Sequence, residues 1–253
     1  MTQPGPGVDP APDPPVPSGR PPHRRMPPTA VVLIAGVLAT AFSWTAGEVA
    51  YGRFAPSALA DPMLGPTAGG ASSEDIHRGL VLEATLTYAV QGAVLGLLLG
   101  LAGAAAGGSK RSAAVGGVAG LVLGGLVGAG AAFGLASVYL ENADPISHDL
   151  LLPLATHASL WGLIGGVGGL ALGLGGGGGG ARVAKAAVGG LVGGAIGAAA
   201  YEILGAILFP LARTSEPVAD STAARLFAHA TTNVLAALVA AMALADPGRP
   251  KKR

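Results

Sequence analysis

Six long apolar segments dominate this sequence and restrict the folds available to it. They cover residues 30–53, 80–106, 113–139, 150–175, 183–211 and 222–245. Each is long enough to cross about 30 Å of hydrocarbon as a helix that rises about 1.5 Å per residue. Only 11% of the residues are charged, whereas soluble domains carry about 25%. The pattern predicts an all-α integral membrane protein with six transmembrane helices.

The two ends of the chain differ in composition from the region between them. Residues 1–28 are rich in proline and lack apolar periodicity, so we expect a disordered tail. Residues 248–253 form a short basic tail, which leaves residues 29–247 as the six-helix domain. A run of glycines from Gly175 to Gly180 is predicted to be a flexible connector between the fourth and fifth segments.

Basic and acidic residues fall on opposite sides of the predicted bundle. Eleven of the 15 lysines and arginines lie in the two tails or near the loops that follow the second and fourth segments. The other three loops hold eight of the 14 acidic residues. The positive-inside rule therefore predicts that both termini are cytoplasmic. We expect an integral protein of the inner (cell) membrane, with the lipid bilayer as its first partner.

A short repeated string predicts internal duplication. The sequence Gly-Gly-Leu-Val-Gly occurs at Gly124–Gly128 and again at Gly189–Gly193. Pairs of polar residues four apart also recur in the second, fourth and sixth segments. These matches predict three tandem helical hairpins, each made of an odd-numbered segment and the even-numbered segment that follows it.

Glycines recur every four residues in four of the segments, which places them on one face of each helix. Lipid provides little hydrophobic drive for helix association, so small residues that allow close backbone approach favour packing. The sequence therefore predicts that the hairpins pack through glycine zippers. The series are Gly92, Gly96, Gly100; Gly116, Gly120, Gly124, Gly128; Gly165, Gly169, Gly173; and Gly189, Gly193, Gly197.

Ionisable side chains inside the apolar segments are the candidates for function. Such a residue costs about 2.5–3.5 kcal/mol on insertion scales and is a functional-site candidate for that reason. With the predicted topology, all of them fall in the outer half of the bilayer. They are Glu48, Glu83, His157, Glu202 and His229. The predicted site consists of Glu48, Glu202, His157 and His229, with Asn233 and Arg225 as supporting residues.

Two functions are consistent with this cluster. Carboxylates and imidazoles can bind divalent cations or relay protons, so the leading hypothesis is a transporter or binding subunit for a small solute or cation. The alternative is a non-transporting scaffold or accessory subunit in which the same groups only join helices. In that case Arg225 neutralises Glu48 or Glu202, Glu83 is solvated near the headgroups, and the histidines form neutral hydrogen bonds.

Other classes of function receive no support from the sequence. It has no cysteine, no Gly-x-Ser-x-Gly elbow, no phosphate-binding loop and no His-Glu-x-x-His motif. We therefore expect no enzyme activity, and no cofactor or particular metal is required. The net charge is +1, and the basic residues are divided among separate loops, which argues against a nucleic-acid partner. Association with a second copy or with other membrane subunits stays open.

Overall fold

The computed structural model describes residues 26–54, 72–143 and 150–245, and within these ranges it contains helices and no strands. The helices are α1 Pro28–Ala50, α2 Ser73–Ala105, α3 Lys110–Asn142, α4 Leu151–Gly175, α5 Gly180–Leu208 and α6 Thr222–Leu244. Each is long and apolar enough to cross a membrane, which confirms the prediction of six long apolar helices. Of the predicted tails, residues 1–25 and 248–253 lie outside the described residues.

Local capping sets where α2 begins. The side chain of Ser72 accepts a hydrogen bond from the backbone N–H of Asp75, and the Asp75 carboxylate accepts one from the backbone N–H of Ser72. This reciprocal capping box satisfies two N–H groups that would otherwise lack a partner at the helix start. As a result α2 starts at Ser73 rather than at residue 80, the predicted start of the second apolar segment.

Two short turns, residues 106–109 and 176–179, join α2 to α3 and α4 to α5. Each contains a glycine with a positive φ angle, 152° at Gly107 and 67° at Gly177, where a side chain would be strained. Four residues of the predicted glycine connector, 176–179, therefore form the turn, and its two outer residues belong to the helices. Gly175 is the last residue of α4 and Gly180 is the first residue of α5.

Glycines allow α2 and α3 to touch backbone to backbone. A Cβ atom at Gly92 would lie 2.2 Å from the carbonyl oxygen of Gly124, and one at Gly96 would lie 2.1 Å from that of Gly120. Any side chain at these positions would push the two helices apart. The helices α4 and α5 approach each other in the same manner, because a Cβ at Gly165 would lie 2.3 Å from the carbonyl oxygen of Gly190.

Helix α2 packs most closely against α3, and α4 packs most closely against α5. These are not the pairs that the three-hairpin prediction joins. The predicted partners do touch, since α1 packs on α2, α3 on α4 and α5 on α6. The reason for the difference is the length of the connections. A turn such as 106–109 or 176–179 forces two antiparallel helices to run side by side from their first turn.

The two Gly-Gly-Leu-Val-Gly copies also contact different helices. Gly124, in the first copy, faces Gly92 of α2, whereas Gly189, in the second copy, faces Ala243 of α6. The neighbouring Gly190 is the residue that faces α4. Identical strings therefore occupy non-equivalent positions in the packing, and the pentapeptide does not define a structural repeat.

Helix α4 contacts α2, α3, α5 and α6, while α1 packs against α2 and α6. Large apolar side chains also cover the outside of the bundle, for example Leu126 and Ile207. An apolar exterior of this extent is typical of helices that face lipid. The large buried side chains of the interior include Leu95, Leu99, Trp161, Ile164 and Tyr201.

We expect Gly120→Ala and Gly134→Ala, two identical changes in α3, to affect stability in opposite directions. A Cβ at Gly120 would lie 2.1 Å from the Gly96 carbonyl oxygen, whereas one at Gly134 would meet no atom within 4 Å. Overpacking should lower the stability of Gly120→Ala by about 1–3 kcal/mol. The helix propensity of alanine should leave Gly134→Ala unchanged or more stable by up to about 1 kcal/mol. Thermal unfolding in detergent measures both, and equal effects would contradict the close contact.

Candidate functional site

The predicted site residues lie toward one end of the bundle, and the two glycine turns lie at the other end. We call the end with the predicted site residues the site end. Helices α1 and α5 finish there, and α4 and α6 begin there, so their terminal turns meet. Glu48 is half-buried and the other predicted residues are buried. These buried residues are His157, Glu202, Arg225, His229 and Asn233.

Arg225 of α6 and Glu48 of α1 form an ion pair with two hydrogen bonds. Nε of Arg225 donates to Oε1 of Glu48 at 2.6 Å, and Nη2 donates to Oε2 at 2.9 Å. Paired N–H···O bonds of this kind are among the strongest that proteins form. The guanidinium carbon also lies 3.5 Å from the centre of the Tyr51 ring. Of the two carboxylates considered as partners for Arg225, Glu48 is the one in contact.

Residues 209–221, which we call the cover loop, run between α5 and α6 at the site end. Nη1 of Arg225 donates to the carbonyl oxygens of Ala219 and Asp220, both at 2.9 Å. The hydroxyl of Tyr88 in α2 donates to the carbonyl oxygen of Pro217. One arginine and one tyrosine therefore hold the cover loop against α6 and α2.

The cover loop carries an ion pair of its own on the surface. Nη1 of Arg213 lies 3.2 Å from Oε1 of Glu216, and 72% of the Arg213 side chain is exposed. Burial raises the pKa of Glu216 above its ordinary value, while the charge of Arg213 acts in the opposite direction. Because it is exposed, this pair offers a control for the buried pair of Glu48 and Arg225.

A hydrogen-bonded chain links α1, α6 and α2 deeper in the bundle. Nδ1 of His229 lies 2.8 Å from Oγ of Ser43. Asn233 donates from Nδ2 to Ser43 Oγ at 3.3 Å, and its Oδ1 accepts a hydrogen bond from Nε2 of Gln91 at 3.2 Å. The stripe of Arg225, His229 and Asn233 thus faces the interior, where protein groups rather than lipid satisfy it.

His157 of α4 and Glu202 of α5 form a second buried pair. Nδ1 of His157 lies 2.5 Å from Oε1 of Glu202, and the two side chains are 1% and 4% exposed. Trp161 and Tyr201 pack around the imidazole, with ring centres 4.9 and 5.7 Å from its own. A nitrogen–oxygen contact of this length is a strong hydrogen bond, and it joins α4 to α5.

A small cavity separates the His157 pair from the His229 chain. Its volume is about 10 Å³, which is room for about one water molecule. Residues 217–219 of the cover loop form part of its wall. The buried Nε1 of Trp161 makes no hydrogen bond of good geometry within the described ranges. Side chains in the wall include Thr87, Gln91, His157, Trp161, Arg225 and His229.

The structure therefore brings three of the predicted residues, His157, His229 and Arg225, around one cavity. Glu202 is the hydrogen-bond partner of His157 and Glu48 that of Arg225, whereas Asn233 is connected to His229 only through Ser43. Within the part of the chain that the structure describes, no three histidine, aspartate or glutamate side chains are placed to hold a metal ion together.

Sequence reasoning missed Ser43, and its scaffold alternative misjudged Glu83. Ser43 belongs to the small-residue face of α1, which resembles a packing stripe, and only its place opposite His229 reveals its role. Only the scaffold alternative expected Glu83 to be solvated, and it is 8% exposed, with its Oε1 accepting a hydrogen bond from the backbone N–H of Gly52 at 3.0 Å. The spacing of Glu83, Thr87 and Gln91 by four was the signal that this face of α2 is buried.

A larger cavity, of about 300 Å³, lies at the end of the bundle that holds the glycine turns. It is bounded by the start of α1, the end of α6 and residues of α2, α4 and α5. The small cavity and this larger one thus lie at opposite ends of the bundle, and the buried side chains of Leu95 and Ile164 lie at intermediate positions along α2 and α4. Wall residues at this end include Val32, Gly103, Leu172, Arg182, Ala241 and Leu244.

Comparison with known proteins adds no further assignment. No family model, no curated protein and no solved structure matches this chain. Interpretation of the site therefore depends on its own geometry and chemistry.

We expect loss of Glu48 alone to be more harmful than loss of both charges of its pair. Glu48→Leu leaves the Arg225 charge buried without its carboxylate, which should destabilise the protein by about 2–5 kcal/mol. The double variant Glu48→Leu/Arg225→Met leaves no buried charge and should recover part of that loss. Unfolding in detergent is the measurement.

The exposed pair provides the control for that comparison. Arg213→Ala removes an ion pair in which the arginine is mostly solvated, so stability should change by no more than about 1 kcal/mol. If Glu48→Leu behaved like Arg213→Ala, the pair between α1 and α6 would have no structural role.

Proposed function

We propose that this protein binds and moves a small solute, with a cation among the candidates, across the inner membrane through the polar groups of the site end. One observation carries the proposal. The imidazoles of His157 and His229 and the guanidinium of Arg225 line a single cavity, and the carboxylates of Glu202 and Glu48 bond to His157 and Arg225 beside it. Each such group costs about 2.5–3.5 kcal/mol to insert at depth, and intramembrane ionisable residues are typical of solute and proton pathways.

Each residue has a distinct role in this proposal. His157 and Glu202 bind the solute or its coupled proton, and His229 faces them across the cavity. Asn233 orients His229 through Ser43. These roles assign no catalytic residue, and the proposal involves neither an enzyme activity nor a cofactor.

Access to the polar groups would alternate between the two ends of the bundle. The larger cavity lies at the predicted cytoplasmic end, while the cover loop closes the small cavity at the predicted outer end. Separation of Arg225 from Glu48 would release both α1 and the cover loop. Lids that open and close in this manner are common in proteins that sequester a solute.

The six-helix bundle, with glycine zippers that join α2 to α3 and α4 to α5, would serve as the scaffold for this movement. Small residues on these faces let the backbones approach closely, which holds each pair together. The proposal keeps both termini in the cytoplasm. Its partners are the lipid bilayer and, as a further option, a second copy or other membrane subunits, with no nucleic acid.

A non-transporting scaffold or accessory subunit is the second candidate, and one observation favours it. Within the described ranges, Nε1 of Trp44 and Nε1 of Trp161 are the buried side-chain polar atoms without a hydrogen bond. A polar core that is so nearly satisfied can join helices without binding anything else. Functional measurement is needed to separate the two candidates.

Measurement of ion uptake into proteoliposomes distinguishes the transport proposal from the scaffold alternative. Uptake is measured for a panel of monovalent and divalent cations, with and without a pH gradient. Wild-type protein should raise the uptake of at least one of these ions above that of protein-free vesicles. Glu202→Gln should return uptake to the protein-free value because it removes the carboxylate of the buried pair. Glu83→Gln should retain uptake, since Glu83 is a buried carboxylate that bonds to the backbone N–H of Gly52 and takes no part in the pair of His157 and Glu202. Identical, flat responses from wild type and Glu202→Gln would remove the transport proposal and leave the scaffold.

A further inference from the structure

The geometry of the small cavity points to a proton as the species bound there. We infer that the pair of His157 and Glu202 is a proton-binding site, and that His229 is a positioning residue which orients a proton-carrying water in the cavity between them. This inference rests on the proposed transport function and names the ion that the function handles.

The pair is most stable with two protons, one shared between Nδ1 of His157 and Oε1 of Glu202 and one on Nε2 of His157. In that state the pair has no net charge, the state that burial favours. Loss of the Nε2 proton leaves a negative charge on the pair without a counter-ion, because Arg225 is already paired with Glu48. Gain of a third proton leaves an unpaired positive charge. Proton binding and release must therefore accompany a structural change or the arrival of another charge.

The other titratable groups around His157 and Glu202 do not bind the proton in place of this pair. The nearest tyrosines are neutral at ordinary pH because a phenol ionises near pH 10, and Arg225 is committed to Glu48. The groups that interact with Glu202 or with its neighbours are Tyr88 of α2, Tyr139 of α3, Tyr201 of α5, Arg225 and His229 of α6, Glu48 of α1 and Asp220 of the cover loop.

The hydrogen-bond chain gives His229 a defined polarity. Gln91 donates to Asn233, and Asn233 donates to Ser43, so the hydroxyl proton of Ser43 is left for Nδ1 of His229. In that arrangement Nδ1 accepts and Nε2 carries the ring proton. An imidazole in this tautomer can donate a hydrogen bond to a water in the cavity whose wall it forms.

His157 offers the matching acceptor when the pair has lost its proton. Its Nδ1–H then bonds to the Glu202 carboxylate, and Nε2 of the same ring, which borders the cavity, presents a lone pair. The cavity has a volume of about 10 Å³, room for about one water. That water accepts from His229 and donates to His157.

Reloading of the pair conserves protons. The water gives one proton to Nε2 of His157 as it takes another from solvent admitted past the cover loop. One O–H bond breaks while one N–H bond forms, and the net charge of the pair returns to zero. His229 stays neutral throughout, which makes it a positioning residue and not a proton carrier.

Infrared difference spectroscopy of the reconstituted full-length protein tests proton binding directly. During a pH titration, wild type should show a carboxyl band that appears and disappears reversibly. Glu202→Gln should lose that band and Glu83→Gln should keep it. His229→Leu should shift the midpoint of the titration, and His229→Gln, which retains an N–H donor, should restore it. A midpoint that is the same in His229→Leu as in wild type would overturn the positioning role.

Proton flux into vesicles loaded with a pH-sensitive dye, driven by a potassium diffusion potential, is the second arm. Glu202→Gln should lower the wild-type flux by roughly 100-fold or more, the size expected for loss of a positioned proton-transfer group. Two results would overturn the proton assignment and leave transport standing. One is an equal proton flux in wild type and Glu202→Gln. The other is a wild type whose Glu202 band never titrates while other ions are transported. A titrating Glu202 in a protein that moves no tested ion refutes transport and leaves the proton site standing.

Discussion

Backbone contact at glycines is the interaction on which the rest of this structure depends. In a bundle covered with apolar side chains, burial of further apolar surface gives little reason for helices to associate. Glycines instead let α2 touch α3 and α4 touch α5 without intervening side chains, as where a Cβ at Gly194 would lie 2.1 Å from the Trp161 carbonyl oxygen. The same contact brings His157 within reach of Glu202 one to two turns further along.

Charge neutralisation is the second constraint, and it determines the form of the site. Arg225 and Glu48 cancel each other in an ion pair, and His157 and Glu202 form a second buried pair through a short hydrogen bond. Any event that separates either pair exposes a charge to a medium that solvates it poorly. In the proposed function, this cost would couple an ion to a movement of α1 or the cover loop.

The candidate residues could be chosen from the sequence because polar groups in long apolar segments are rare. The partner of each candidate residue could not be chosen from the sequence. Arg225 had two candidate carboxylates, and its contact with Glu48 depends on where α1 lies beside α6. Ser43 gave no signal at all, since a serine in a small-residue stripe is indistinguishable by pattern from a packing residue. The two copies of Gly-Gly-Leu-Val-Gly led the hairpin prediction to equate positions that contact different helices.

By itself the sequence determined the six helices and their stripes, because apolar length and spacing by four are properties of single segments. It also placed the ionisable groups at comparable depth, since depth follows from distance along a helix. Only the tertiary structure decided which stripes face each other, which carboxylate meets Arg225, and that both histidines border one cavity. The physical reason is that spacing sets the face on which a residue lies, while the rotation and neighbours of each helix depend on turn length and on where glycines let backbones touch.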